Sequence, residues 1–186
     1  MPFRQINFKD ILFDPNVQKF CVSEQFQCPN YNHSWACPPA APYSKEKVSK
    51  FSKFFLIYTK FNMIEYVKRQ KRKYPNRSEK RIRNNFYCKN DIREDLEKEV
   101  KSFFEDFVEH YKEKLILWGG HCRICEKNGY KYCSYDDEEA CRFPEKIRYS
   151  MEAVGIHVTK MVKALDLDIE WPPKNYYYRF ALVALR

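Results

Sequence analysis

The sequence predicts an α/β or α+β fold, with helices packed on a small mixed β-sheet of three or more strands and cysteine-rich loops. Three observations predict it. Lys53–Phe61 (KFFLIYTKF) and Tyr176–Arg186 (YYYRFALVALR) are short, dense apolar runs that read as covered strands, and between them Asp91–Tyr111 has the period of a helix with one apolar face. Strands alternating with helices are expected to build a layered sandwich.

The elements follow in chain order. Ser44 is placed to cap a short helix through about Ser52, ahead of the Lys53–Phe61 strand. A basic segment comes next, broken by Pro75, with Asn76 and Glu79 spaced as a capping box for another short helix. Asp91 and Glu94 offer a second capping box. Ile92, Leu96, Val100, Phe103, Phe107 and Tyr111 then recur every three or four residues, the clearest helix in the chain. Lys114–Gly120 (KLILWGG) reads as a strand ended by two glycines, which allow a close backbone approach. Ile147, Met151, Val154, Val158, Met161 and Leu165 predict a further amphipathic helix starting near Pro144, and the Tyr176–Arg186 strand closes the chain.

With 186 residues, 44% of them apolar and 17% aromatic, the chain is expected to form one domain over 1–186 with its own core, carrying a basic insertion at about 66–88. Disulfide staples are not needed for such a core, so the eight cysteines require another reason. No apolar run is long enough to span a bilayer and no signal-peptide core follows Met1, which predicts a cytoplasmic protein without a membrane partner. In a reducing compartment, clustered cysteines read as metal ligands. Of the net charge of +9, most is local: Tyr66–Arg83 holds Lys68, Arg69, Lys71, Arg72, Lys73, Arg77, Lys80, Arg81 and Arg83 against Glu79 alone. Such a segment is either a docking surface for RNA or another polyanion, an acidic protein or an anionic substrate, or a solvated insertion between core elements.

The cysteines fall into two groups. Cys122, Cys125, Cys133 and Cys141 lie in one loop region, the first two as Cys-x2-Cys, and make a four-thiolate set suited to a 4Fe-4S cluster or to zinc. Cys21, Cys28 and Cys37 are more widely spaced, and the last two precede proline, which removes a backbone donor and turns the chain, as in many ferredoxin motifs. The expected fourth ligand of this group is Cys88, His33 or an exogenous group. An open position there would admit a substrate. The alternative is that all the cysteines serve one site. His33 and Trp35 read as a ligand and a hydrophobic shield or as turn residues, His121 as a support beside Cys122, and His110 and His157 as structural. No Ser-His-Asp set, phosphate loop or carboxylate pair is evident.

The stretches CPNYNHSWACPP, GGHCRICEKNG and CRFPEKIRYSMEAVGIHV, in that order over nearly the whole chain, resemble the prokaryotic family of predicted metal-binding proteins catalogued as domain of unknown function 2284 (DUF2284). The resemblance implies a cysteine-ligated metal, an iron-sulfur cluster by its chemistry, with Cys28, Cys37, Cys122, Cys125 and Cys141 at the matching positions. Asn128 departs from the pattern, standing where members carry a cysteine, and Cys133 would have to substitute from a longer loop.

These readings converge on a protein binding one or two 4Fe-4S clusters, acting in electron transfer with a redox partner protein, or in cluster-supported redox or sulfur chemistry. Arg123, Arg142 and a helix dipole after Pro144 would favour the reduced state. The alternative is structural zinc, with Tyr66–Arg83 binding RNA or an acidic partner. A third reading makes the three-cysteine group an enzymatic centre; whether the chain is an enzyme stays open.

Overall fold

The structure, a computed structural model, describes residues 2–23, 26–87, 91–167, 169–170 and 173–186. Its strands are β1 (Phe3–Ile6), β2 (Val22–Ser23), β3 (Phe26–Gln27), β4 (Lys53–Asn62), β5 (Lys114–Leu117) and β6 (Tyr176–Leu185). Its α-helices are α1 (Lys45–Ser49), α2 (Met63–Lys73), α3 (Glu79–Tyr87), α4 (Asp91–Asp106), α5 (Ile124–Lys127) and α6 (Val158–Ala164). The main sheet has the order β1-β4-β6-β5, and β2 and β3 form a separate ribbon just before Cys28. All three pairings of the main sheet are antiparallel, not mixed, so the architecture is the α+β alternative. Among the described residues no helix is long and apolar enough to cross a membrane.

The two runs that read as covered strands are partners. β4 and β6 pair over ten residues, from Lys53 opposite Leu185 to Asn62 opposite Tyr176. Alternation explains why both are apolar on each face. Phe54, Leu56, Leu182 and Ala184 pack into one core with Val48 and Met161, whereas Phe55, Ile57, Ala181 and Val183 pack into another with Leu96, Val100 and Phe103 of α4. Helix α4 buries the middle of the expected stripe here and Ile92 against α2 and α3, but it ends at Asp106, so Phe107 and Tyr111 pack on this core from the loop beyond it. Its predicted cap at Asp91 rests on a side chain outside the described residues. The caps at other helices shift from expectation: Ser44 starts α1 through its carbonyl while its hydroxyl donates to the Pro42 carbonyl, and Ser78, not Asn76, accepts the Arg81 amide at the start of α3.

The other face of the sheet corrects the sequence reading. The expected helix from Pro144 to Leu165 is only a 3-10 turn at Pro144–Lys146 and the short α6. Met151, Val154, Val158, Met161 and Leu165 are nonetheless buried. Between the two, the backbone bonds elsewhere: the Trp118 amide donates to the Tyr149 carbonyl, Met151 to Trp118, and His157 to Leu12. Gly155 breaks any helical course with φ of +93°, a conformation open to glycine, and a Cβ there would lie 2.4 Å from the Tyr43 ring. His157 then caps α6 by accepting from the Lys160 amide. Burial at helical spacing was satisfied by a folded-over segment because packing, and not periodicity, chose its backbone partners.

The basic segment folds as α2 and α3 around Met63, Tyr66, Val67, Ile82 and Phe86, packed on Phe61 at the end of β4. Lys68, Arg69, Lys71, Arg72, Lys73, Lys80 and Arg81 remain exposed.

Candidate metal centre

A cavity of about 460 Å³ with mostly apolar walls opens where β5 stops. β6 runs ten residues and β5 only four, so beyond Leu117 the Tyr176–Ala181 stretch of β6 has lost its neighbour on that side. Gly119 and Gly120 turn the chain away at this point. A Cβ on Gly119 would meet Arg179 Cγ and the Phe180 carbonyl at 2.8 Å, so only glycine allows this approach. The cavity is lined by Cys21, Cys28 and Cys37 together with Arg93, His121, Glu152, Tyr177 and Arg179.

The first cysteine group is held by its own turns. The Cys28 amide donates to the Cys21 carbonyl at 2.8 Å, which brings the end of the β2–β3 ribbon back onto the preceding 3-10 turn. Cys37 is buried, its amide donating to Ser34 and its carbonyl accepting from Ala41. Burial pushes the Cys21 thiol up to about 11 and the Cys37 thiol up to about 12, and neighbouring Cys28 adds to both. Thiols so placed become thiolates when a cation compensates them, which is the chemistry of a metal site.

The second group gathers in its own pocket. Cys122, Cys125, Cys133 and Cys141 line one small space with Trp35, Ile124, Phe143 and Ile147. Burial, then the proximity of Cys133, Cys122 and Cys125, raises the Cys141 thiol. Asn128 does not enter; its amide side chain donates to the Ile124 carbonyl at 2.7 Å and closes α5, while Cys133 reaches the pocket from the longer loop. Arg142 reaches the Cys125 sulfur and pairs with Asp137 at 2.8 Å, and Arg123 pairs with Glu126 at 2.7 Å. The helix dipole expected after Pro144 is missing, because a three-residue 3-10 turn stands there.

The lid of this pocket comes from the first cysteine loop, which sequence reasoning missed. Trp35 Nε1 donates to the Glu139 carbonyl at 3.0 Å, and its ring meets Tyr135 edge-on at 4.9 Å. The Tyr135 hydroxyl donates to Asn32 at 2.8 Å, and His33 Nδ1 pairs with Asp136 at 2.8 Å. Trp35 is thus a shield, but for the four-cysteine pocket. His33, expected as a fourth ligand of the first group, is an exposed tie between loops 103 residues apart. Cys88 lies outside the described residues. His121 stays neutral: burial and then Arg93 push it down to about 4, and Arg93 Nη2 donates to its Nδ1 at 3.0 Å. His157 is structural, as expected.

Among the described residues no three His, Cys, Asp or Glu side chains have the geometry to hold a single metal ion. The chain presents gathered thiols in two pockets, not a closed coordination sphere. No curated protein and no solved structure matches the chain. A family model described as a predicted metal-binding protein matches residues 4–185, nearly the entire chain and both cysteine groups, and on that match the chain belongs to the DUF2284 family.

Proposed function

We propose that this predicted metal-binding protein is a two-centre iron-sulfur protein, with Cys122, Cys125, Cys133 and Cys141 holding a 4Fe-4S cluster and Cys21, Cys28 and Cys37 holding a second centre that faces the cavity. The observation that carries this reading is the sorting of seven cysteines into a set of four shielded on one side by Trp35 and a set of three on a cavity wall. Bound clusters would supply one-electron transfer at the first set and an open metal position at the second.

The residues of the chain do the rest. Trp35, Ile124, Phe143 and Ile147 keep water from one side of the four cysteines, which for a cluster tunes potential and protects sulfide, while Cys122, Cys125 and Cys133 also border a polar cleft. Arg142, at the Cys125 sulfur, offsets negative charge there. The prolines after Cys28 and Cys37 hold the first loop in turns, so two thiols face the cavity without regular structure.

Iron, zinc and acid-labile sulfide per chain, measured on protein purified without oxygen together with its visible spectrum, test the assignment. About eight irons and eight sulfides support two clusters and about four support one. Zinc without sulfide replaces the reading with a structural zinc protein, and leaves Tyr66–Arg83 as the candidate functional surface.

A further inference from the structure

Two guanidinium groups converge on the cavity, and among the described residues no carboxylate lies within ion-pair distance of either. A Cβ on Gly120 would stand 3.1 Å from Arg93 Nη2 and 3.5 Å from Arg179 Nη1, so both cations pack against this one glycine, whose φ is +92°. Among the described residues neither arginine makes an ion pair. Arg93 donates to His121, and Arg179 donates to the Gly119 carbonyl at 3.3 Å and to the Tyr177 hydroxyl at 3.2 Å. Each guanidinium carries five N–H donors, so both keep donors to spare.

The acids nearby are otherwise engaged. Glu170 accepts from the Lys174 and Asn175 amides at 2.9 and 2.7 Å, and Glu126 is bound to Arg123. Glu152 lines the cavity but makes no ion pair with Arg179, and it is exposed to solvent. Burial, then Arg179 and Arg123, lowers Arg93 to about 10, with Tyr177 and Glu126 opposing.

We infer that the cavity binds an organic oxyanion, a carboxylate or phosphate ester on an apolar body, with the acid group forked by Arg93 and Arg179 over Gly120 and the body directed along the aromatic wall towards Cys21, Cys28 and Cys37. Planar guanidinium forks suit carboxylate and phosphate oxygens, and Tyr178 and Phe180, stacked at 6.0 Å, offer the apolar surface. A cavity of about 460 Å³ fits a small organic molecule and not a polymer. The anion site names the substrate class for the cavity centre and rests on that reading for its chemistry, though not for binding.

Isothermal titration of anaerobically purified protein with benzoate, phenyl phosphate and the neutral benzyl alcohol tests it. An anion should bind, about tenfold or more tighter than benzyl alcohol, and added sodium chloride should weaken it. The tighter of benzoate and phenyl phosphate assigns the acid group. Arg93→Gln and Arg179→Gln should each cost about tenfold or more, and Arg179→Lys should keep part of the affinity because charge remains without the fork. The comparison of probes and salt on the unmodified protein needs no variant to fold. Equal binding of all three probes, no binding of either anion, or full anion affinity in the doubly substituted protein overturns the inference. Metal content of the same samples separates the two readings: anion binding without iron refutes only the cluster assignment, and iron without anion binding refutes only the anion site.

Discussion

The two cysteine groups make a contrast within one molecule. Cys122, Cys125, Cys133 and Cys141 share a small pocket covered by Trp35 and Phe143, while Cys21, Cys28 and Cys37 stand on the wall of a cavity of about 460 Å³ beside arginines and tyrosines. The same residue type therefore serves two environments: the four are backed by Trp35 and Phe143 on one side, with Cys122, Cys125 and Cys133 opening on a polar cleft of about 370 Å³ on another, while the three face an apolar cavity with arginines at its rim.

Serine substitutions break the contrast most directly. Cys125→Ser should remove the metal of the shielded set, and Cys28→Ser should lower iron from about eight to about four per chain while the shielded cluster's spectrum survives. Loss of all iron from either variant would show one shared site. Next in size is Gly155→Ala, which forces a side chain into left-handed backbone against Tyr43. It should cost about 2–5 kcal/mol in thermal or denaturant unfolding, and because Ser150 to Ala153 line the cavity, the open centre should suffer more than the shielded one.

Trp35→Ala sharpens the contrast from the other side. Removing the lid should make the shielded centre bleach several-fold faster in air, followed by visible absorption, and leave the cavity centre's rate unchanged. The smallest effect is expected at Glu97, which ties the four-cysteine loop to α4 through Lys127 at 2.6 Å and Arg148 at 2.7 Å. Burial alone would raise its carboxyl, but the Lys127 hydrogen bond and the charges of Arg148 and Lys127 prevail and hold it low. A lowered carboxyl stabilises the fold above its unfolded value of 4.5, and that contribution is lost as pH falls through the folded value. Glu97→Gln should thus cost about 1 kcal/mol at pH 7, with the gap between variant and parent melting curves closing below about pH 4.5.

Much of the frame was legible in the chain. β4, β6 and α4 carry patterns of period two or near 3.6 that bury the same residues whatever their partners, so they form where the spacing places them. The segment after Pro144 had an equally regular pattern and did not become the long helix, because Gly155 and the bridge from Trp118 to Ser150 gave its backbone other partners. The four-cysteine set was legible as one loop region. Its lid was not, since Asn32, His33 and Trp35 meet Tyr135, Asp136 and Glu139 about a hundred residues away.

Local chemistry was determined by the sequence by itself: that the runs of β4, β5 and β6 are strands, where the longest helix lies, that eight cysteines in an amply apolar chain call for a reason other than stapling it, and the family to which those motifs point, whereas β1 and the β2–β3 ribbon carried no such signal. Only the tertiary structure decided that Trp35 covers the second group, that His33 ties loops, and that Arg93 and Arg179 meet over Gly120 in the cavity of the first. The reason is physical. Periodicity and composition report each residue's demand for burial or solvent, but a site is a coincidence of side chains from distant segments, and that coincidence is set by strand register and by where β5 ends beside β6.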